Sequence, residues 1–405
     1  MAEARIVVTA AGIITALGAG CAAQAAALQA GRSGLRYPEL LCTKHRDFLV
    51  GEVAQSNEAL AAGLGVDKEH EGITRTTLLA MAGLKDLIKN SGAGAALFES
   101  PRTAFINAST VGGMSEVEQH YPQFMSEEGF AAVRQYIDTL DCAESTTVAA
   151  RHFGFRGLDA TISTACSSSA NAIMLGARYI RMGIADAAVC GGADALSRFT
   201  LNGFHSLKNV DKAPCRPFDQ NRMGLNLGEG AAFLLLEKES DAKARGAKIL
   251  AVLSGYSNTN DAYHPTAPSP DGSGALRTME AALKKAGIDK EAIGYINAHG
   301  TATINNDLAE GKAITQLWEG APPPFSSTKP FTGHTLAAAG AVEAIFSIIA
   351  LNENMLPQNL NFSQPMEELE VAPVAGPGAS AGLDHVLSNS FGFGGNNSTL
   401  VFSKP

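Results

Sequence analysis

A chain of 405 residues, 45% hydrophobic and only 18% charged, can bury a large core; this excludes a disordered or fibrous protein and leaves room for two domains or one fused double domain. A formal net charge of -9 argues against nucleic acid as the main partner. The six cysteines, Cys21, Cys42, Cys142, Cys166, Cys190 and Cys215, form no CxxC pair and no zinc spacing with histidine, so a reducing cytoplasm is expected, with no metal and no cofactor.

The N-terminal "RIVVTAAGIITALG" predicts a strand, a glycine turn and a strand edge. Its end resembles a lipoprotein cleavage site before Cys21, but Glu3 interrupts the basic region, and a first core strand is the reading adopted. No apolar run is expected to span a membrane. Further on, "ITRTTLLAMAGLKDLIKNSGAG" predicts a helix and "TAFINAST" a strand; "ATISTACSSSANAIMLGARYI" then reads as strand, polar turn and helix. After "EKESDAKARGAKI" the kinds of element recur. "GALRTMEAALKKAGIDKEAI" is a helix, "GYINAHGTAT" begins with a strand, and "PFSSTKPFTGHTLAAAGAVEAIFSIIAL" is strand, turn and helix. This alternation predicts an α/β protein with a largely parallel sheet. Duplication of one α/β unit would divide the chain into residues 1–248 and 249–405 and place Cys166 and His334 at equivalent positions; shared α/β grammar without duplication is the competing reading. Parallel strands gather ligands at their carboxyl ends, so Cys166, His299 and His334 can converge.

Each chemical signal has a plain structural alternative. Cys166 stands where a strand hands over to a helix, and a helix N-terminus lowers a thiol pKa and makes it a nucleophile; a small buried hydrophobe is the alternative. His299, in "NAHGTAT", precedes Gly300 at a strand end, with Thr301 and Thr303 offering two hydroxyls from one side of an extended segment. A core or cap histidine is the alternative. In "STKPFTGHTLAAAG", Lys329 and His334 flank a Pro/Gly turn before small residues that let a helix pack closely. "NSFGFGGNNS" is a glycine loop with Phe391 and Phe393; it can expose backbone N–H groups as an oxyanion hole requires, or be a terminal hairpin.

Taken together, "TACSSS", "RPFDQNRMGLNLGEGAAFLLLE", "NTNDAYHPTAPSPDGSG", "NAHGTAT", "STKPFTGHTLAAAGAVEA" and "NSFGFGGNN" resemble, in order and over nearly the whole chain, the β-ketoacyl-acyl-carrier-protein synthase family, elongating branch. The resemblance implies a thiolase-like fold, duplicated βαβαβαββ halves in a five-layered αβαβα architecture, with the nucleophile in the first half and both histidines in the second. It implies Cys166 as acyl acceptor, His299 and His334 at the decarboxylating site, Lys329 organising them and Glu310 supporting them. The N–H groups of Cys166 and Phe393 would form the oxyanion hole, with Phe393 also a gate. Thr266, Thr301, Thr303, Val111, Phe391 and Phe393 would contact substrate, Val111 at the floor of the acyl pocket. The implied partners are an acyl carrier protein and a second subunit, identical or related. Lys208, Lys212 and Arg216 would offer the acidic carrier a basic docking spot.

Three places depart from common fatty-acid synthases. Met223 and Asn226 stand where the family usually has Asp and an apolar residue. "RQYIDTLDCAESTTVAARHFGFRG" lacks the usual Pro and Asn-Met pattern, and "VDKEHEG" leaves the start of the following helix with little basic character. These features are similar to ketosynthases of specialised type II polyketide systems that make polyenes or resorcinols. A non-catalytic chain-length partner subunit is the alternative of another class, weakened because such subunits lack the nucleophile.

Overall fold

Every residue of β1 (Ile6–Thr15) is buried, Ile6, Val8, Ala11 and Ile13 toward one core and Ala10 and Ile14 toward another. A strand covered on both faces reads as a near-continuous apolar run, which is why "RIVVTAAGIIT" is a core strand. The computed structural model describes residues 4–66, 73–126, 133–376, 378–379 and 382–405. Apart from the separate Met355–Leu356 and Gly378–Ala379 pair, the other long or paired strands are β2 (Thr103–Ala108), β3 (Asp159–Ile162), β4 (Ala187–Asp194), β5 (Gly230–Lys238), β6 (Ala251–Asn260), β7 (Ile293–Asn297), β8 (Phe325–Ser326), β9 (His385–Gly392) and β10 (Asn396–Ser403). With the short Gly18–Ala19 strand beside β1 they form one 11-stranded sheet, in the order β3-β2-β4-β5-β1-β6-β10-β9-β7-β8.

That order is symmetric about its middle, with β1 to β5 on one side and β6 to β10 on the other. The two sets join through the pairs Val7↔Val252 and Val8↔Ala251. The sheet is mixed, which corrects the largely parallel expectation: β2 is parallel to β3 and β4, and β7 to β8 and β9, while the β1, β5, β6 and β10 pairings are antiparallel. Residues β10 and β9 share a tight hairpin, which permits only antiparallel pairing.

Helices α1 (Arg75–Asn90) and α2 (Cys142–Phe153) cover the outer face of the first set of strands. Helices α3 (Ser168–Arg181) and α7 (Ala339–Glu353) lie between the two sets, with α4 (Arg198–Ser206) beside the site; α5 (Ser273–Ala286) and α6 (Ile304–Leu317) cover the second outer face. The result is an α/β thiolase-like fold in five layers, with the largest core around α3 and α7. The 18-residue stretch Leu336–Glu353 corrects one expectation: by length and composition it is apolar enough to cross a membrane. Here it is a core helix, buried at every position from Ala339 to Leu351. Of the family departures, 67–72 lies outside the described residues, and the segment from Arg134 forms two short helical turns and α2.

The inner helices cross at Gly340. A Cβ there would sit 2.8 Å from Ala170 N and 2.9 Å from Ala170 Cβ. Backbone is the obstacle, so Gly340→Val is expected to cost about 3 kcal/mol, the upper end for overpacking. A urea melt reads this as a lower midpoint at unchanged slope; an unchanged midpoint would show that the α3–α7 crossing yields.

Candidate active site

The chain leaves β3, turns through Ala165 with φ 52° and delivers Cys166 just before Ser167, the N-cap of α3. In the matching place of the second set, the chain leaves β8, passes the Lys329–Thr332 turn and delivers His334 just before α7. His299 follows β7. The Cys166 Sγ and one ring nitrogen from each of His299 and His334 lie within 4.8 Å of one another, all three residues buried. The imidazoles meet edge to face at 5.5 Å.

Lys329 organises this cluster. Its Nζ donates to His299 O at 2.5 Å, sits 3.2 Å from His299 Nδ1 and is ion-paired with the buried Glu343 on α7. Glu310 on α6 accepts from the N–H groups of His299 and Gly300 and from Asn389 Nδ2, at 2.9, 2.8 and 3.1 Å, and so fixes the His299 turn. The Leu336 N–H donates to His334 Nδ1 at 3.2 Å. A backbone N–H can only donate, so in neutral His334 the proton is on Nε2, and that atom is buried without a hydrogen-bond partner. Burial, then the charge of Lys329, holds both histidines well below the usual imidazole range; the neighbouring His334 adds to the effect on His299. At neutral pH the site therefore presents two neutral imidazoles. The same spacing would suit a metal, but Lys329 beside His299 and a protonated Nε2 on His334 make the set a group of hydrogen-bond donors instead.

The thiol departs from expectation. Cys166 does precede a helix N-terminus, yet burial pushes it up to about 11, while Lys329 and the Phe393 N–H act in the opposite direction. Desolvation is the largest influence on the thiol, which lies buried where the β9–β10 hairpin closes over the turn. The Cys166 and Phe393 N–H groups both act on the sulfur and draw it toward ionisation. Phe393 opens the β9–β10 connection, and a Cβ on Gly392 would stand 3.1 Å from Cys166 N, so glycine lets the hairpin approach the nucleophile turn. The hairpin reading holds, and the same loop brings the Phe393 N–H beside the nucleophile turn.

Two cavities meet at Cys166. One, of about 280 Å³, is lined by Thr266, Thr301, Thr303, Lys208, Met223, His299, His334 and Phe391. The Thr301 and Thr303 hydroxyls are 2.8 Å apart, although the segment is not extended: Ala302 between them has φ 63°. The other, of about 450 Å³ and mostly apolar, is lined by Val111, Met114, Phe199 and Leu336. Phe204 and Phe393 line both and stack at 5.4 Å between them. The docking residues are less concentrated than their spacing suggests. Lys208 is exposed at the first cavity, Lys212 is exposed but paired with Asp47 at 2.5 Å, and Arg216 is half-buried.

Several contributors escape sequence reasoning. Glu343 is the one carboxylate inside an apolar helix whose other acid is its exposed terminal Glu353, and that isolation was a usable signal, since buried acids are paired. Phe204 carried no signal. Buried Asp194 accepts from Ser109 Oγ, Thr110 N, Thr110 Oγ1, Val111 N and Ala337 N at 2.6 to 3.2 Å, tying the floor of the second cavity to the turn behind His334. Asn226 replaces an apolar residue but is satisfied: it accepts from Cys215 N and donates to Asp211 O and Ala213 O, while its own carbonyl accepts from His334 N.

The N-terminal domain of beta-ketoacyl synthases matches residues 3–242, and the C-terminal domain matches 250–363. The chain belongs to the β-ketoacyl synthase family. It is 42% identical over 261 residues to 3-oxoacyl-[acyl-carrier-protein] synthase 2 of Vibrio harveyi, a stretch of 62% of this chain and 63% of that protein. Among solved structures, a chain of the ishigamide ketosynthase/chain length factor is similar over 100% of both chains, with TM-score 0.93 and 30% identity. A ketosynthase complexed with its chain length factor, from Xenorhabdus doucetiae, gives 0.86 and 33% over 99% of this chain and 98% of that one.

A thiol held near 11 makes a pH prediction. Its ionised fraction grows through the alkaline range, so iodoacetamide alkylation of Cys166 should accelerate about tenfold per pH unit between about 8 and 10. A plateau below about pH 8 would mean that the helix end does ionise the thiol.

Proposed function

We propose that the protein is a condensing enzyme that joins malonyl-acyl carrier protein to a Cys166-bound acyl chain by decarboxylative Claisen condensation, giving 3-oxoacyl-acyl carrier protein in fatty acid biosynthesis. The observation that carries this reading is the meeting of Cys166 Sγ with two neutral imidazoles, one bearing an unpartnered buried Nε2–H. Cys166 attacks the acyl thioester; the carrier thiol leaves with the proton, and the acyl oxygen sits between the N–H groups of Cys166 and Phe393. Malonyl thioester then enters past Thr301 and Thr303. Its carboxylate leaves as carbon dioxide, the bonding pair becomes an enolate, and the imidazoles donate to the enolate oxygen. The enolate carbon attacks the acyl carbonyl, and collapse of the tetrahedral oxyanion returns the Cys166 sulfur. Lys329 and Glu310 act as positioning residues.

The acyl chain occupies the second cavity, with Val111 at its floor. The partners are an acyl carrier protein and a second subunit, identical or related, in the cytoplasm; six free thiols support a reducing compartment. The two halves divide at residues 248 and 249. A specialised type II polyketide pathway is the second reading, favoured by the full-length likeness to the ishigamide protein and by Met223 at the cavity.

The half-reactions separate these roles. Cys166→Ala should abolish acylation and condensation yet still release labelled carbon dioxide from malonyl carrier. His334→Ala should keep acylation, since its site-facing nitrogen is a donor and not a base, while decarboxylation falls about 10²- to 10³-fold. Acyl-Cys166 by mass spectrometry and carbon dioxide release are the paired measurements; full condensation by Cys166→Ala refutes the assignment. Val111→Phe should shorten the longest acyl chain accepted, and an unchanged acyl-length profile would remove Val111 from the pocket floor.

A further inference from the structure

The proposed oxyanion hole draws its two donors from separate segments, Cys166 before α3 and Phe393 in the β9–β10 turn. Something must hold the two at a fixed separation. On the side of β6 the turn is well tied: Asn260 Nδ2 donates to Gly394 O at 2.8 Å, Asp261 N to Gly395 O at 2.9 Å, and Gly394 N to Pro265 O at 2.7 Å. Those bonds place the loop relative to its own half. They do not reach the nucleophile turn.

Asn396, the first residue of β10, does. Its Oδ1 lies 2.9 Å from Ser167 Oγ, 3.1 Å from Asn171 Nδ2 and 2.6 Å from Asn258 Nδ2. Ser167 is the N-cap of α3 and Asn171 lies in its first turns, so one amide oxygen gathers the α3 N-terminus and β6 onto β10. Asn171 continues the network: its Nδ2 also donates to Thr164 Oγ1 at 2.8 Å, and its Oδ1 accepts from Asn258 Nδ2 at 3.1 Å. Asn396 is fixed in turn by the strand ladder, paired with Gly392 and Asn260. We propose that Asn396 is a positioning residue that sets the separation of the Cys166 and Phe393 N–H groups, and thereby the rate of acyl transfer onto Cys166. The proposal rests on the condensing-enzyme reading and adds to it a residue that touches no substrate.

Acyl transfer and condensation use the oxyanion hole; malonyl decarboxylation uses the histidine pair, which Asn396 does not touch. A clamp on the hole should therefore split the half-reactions. Asn396→Ala is expected to lower the rate constant for Cys166 acylation, and the kcat for condensation, by about 10- to 100-fold, the scale of a displaced donor or of a misplacement of about 1 Å. The KM for acyl carrier and the carbon dioxide release from malonyl carrier should hold. The Asn171 and Asn258 amides both donate to Oδ1, and the Ser167 hydroxyl shares its one proton between Oδ1 and Thr164 O, so Asn396→Asp, of the same shape and with acceptors only, should recover most of the lost rate. Asn171→Ala removes one donor without altering β10 and should give the same split at smaller size; it decides the matter if Asn396→Ala does not fold. Wild-type protein that fails to acylate Cys166 overturns both readings. An acylating wild type whose Asn396→Ala variant acylates equally fast overturns this one alone. Equal losses in acylation and decarboxylation, or no recovery in Asn396→Asp, likewise overturn the clamp in favour of a general structural role.

Discussion

The ion pair between Lys329 and Glu343 is the constraint on which the site depends. Moving either charge out of water alone costs several kcal/mol, and that cost is offset only when the partner and further hydrogen bonds are in place. Burial pushes the Glu343 carboxyl up to about 7, and Lys329 opposes that rise. The pair crosses from the turn after β8 to α7, so the turn cannot move without exposing a bare charge to the core. The same ammonium reaches His299 and orients its ring, keeps protons off both imidazoles and draws the Cys166 thiol toward ionisation. Burial sets the direction at all three groups; the one cation reinforces it at the imidazoles and opposes it at the thiol. Removing Glu343 leaves that cation stranded; removing Lys329 leaves a buried acid and takes from the His299 ring its Nδ1 partner.

Sequence reasoning reached the residues whose meaning lies in type and local context. The apolar run at β1, the helix of "ITRTTLLAMAG" and the turns around Cys166, His299 and His334 all carry local signals that the folded chain keeps. What it missed depends on packing between distant segments. Whether a thiol before a helix is ionised depends on how deeply the other half of the sheet covers it, and the cover here is complete enough to reverse the expected direction. The strand order is similar: β5 and β10 each return beside a strand of their own half, a matter of long-range pairing that alternation of helix and strand does not encode. Lys212 read as a free basic group because Asp47 is far away in sequence.

The glycine loop shows why competing local readings need not exclude one another. As a connection it is an ordinary tight hairpin whose glycines supply positive φ at Gly394 and Gly395. As a wall it brings the Phe393 ring against Phe204, where the two cavities meet. As a donor it directs an N–H at sulfur. A side chain at Gly392 would leave the hairpin itself intact but, with its Cβ 3.1 Å from Cys166 N, press it away from the nucleophile turn.

The carboxylate of Asp194 has a broader consequence. It is fully buried and binds both the backbone around Val111 and the backbone of Ala337, three residues past His334. On the condensing-enzyme reading proposed above, the wall that measures the guest and the ring that handles the extender are thus tied to one carboxylate. Remodelling the pocket for a longer or bulkier chain is not a local edit: any side chain that presses on that wall is felt at the opposite chamber, so a redesigned pocket has to be judged on how well it still discharges the extender as well as on what it admits.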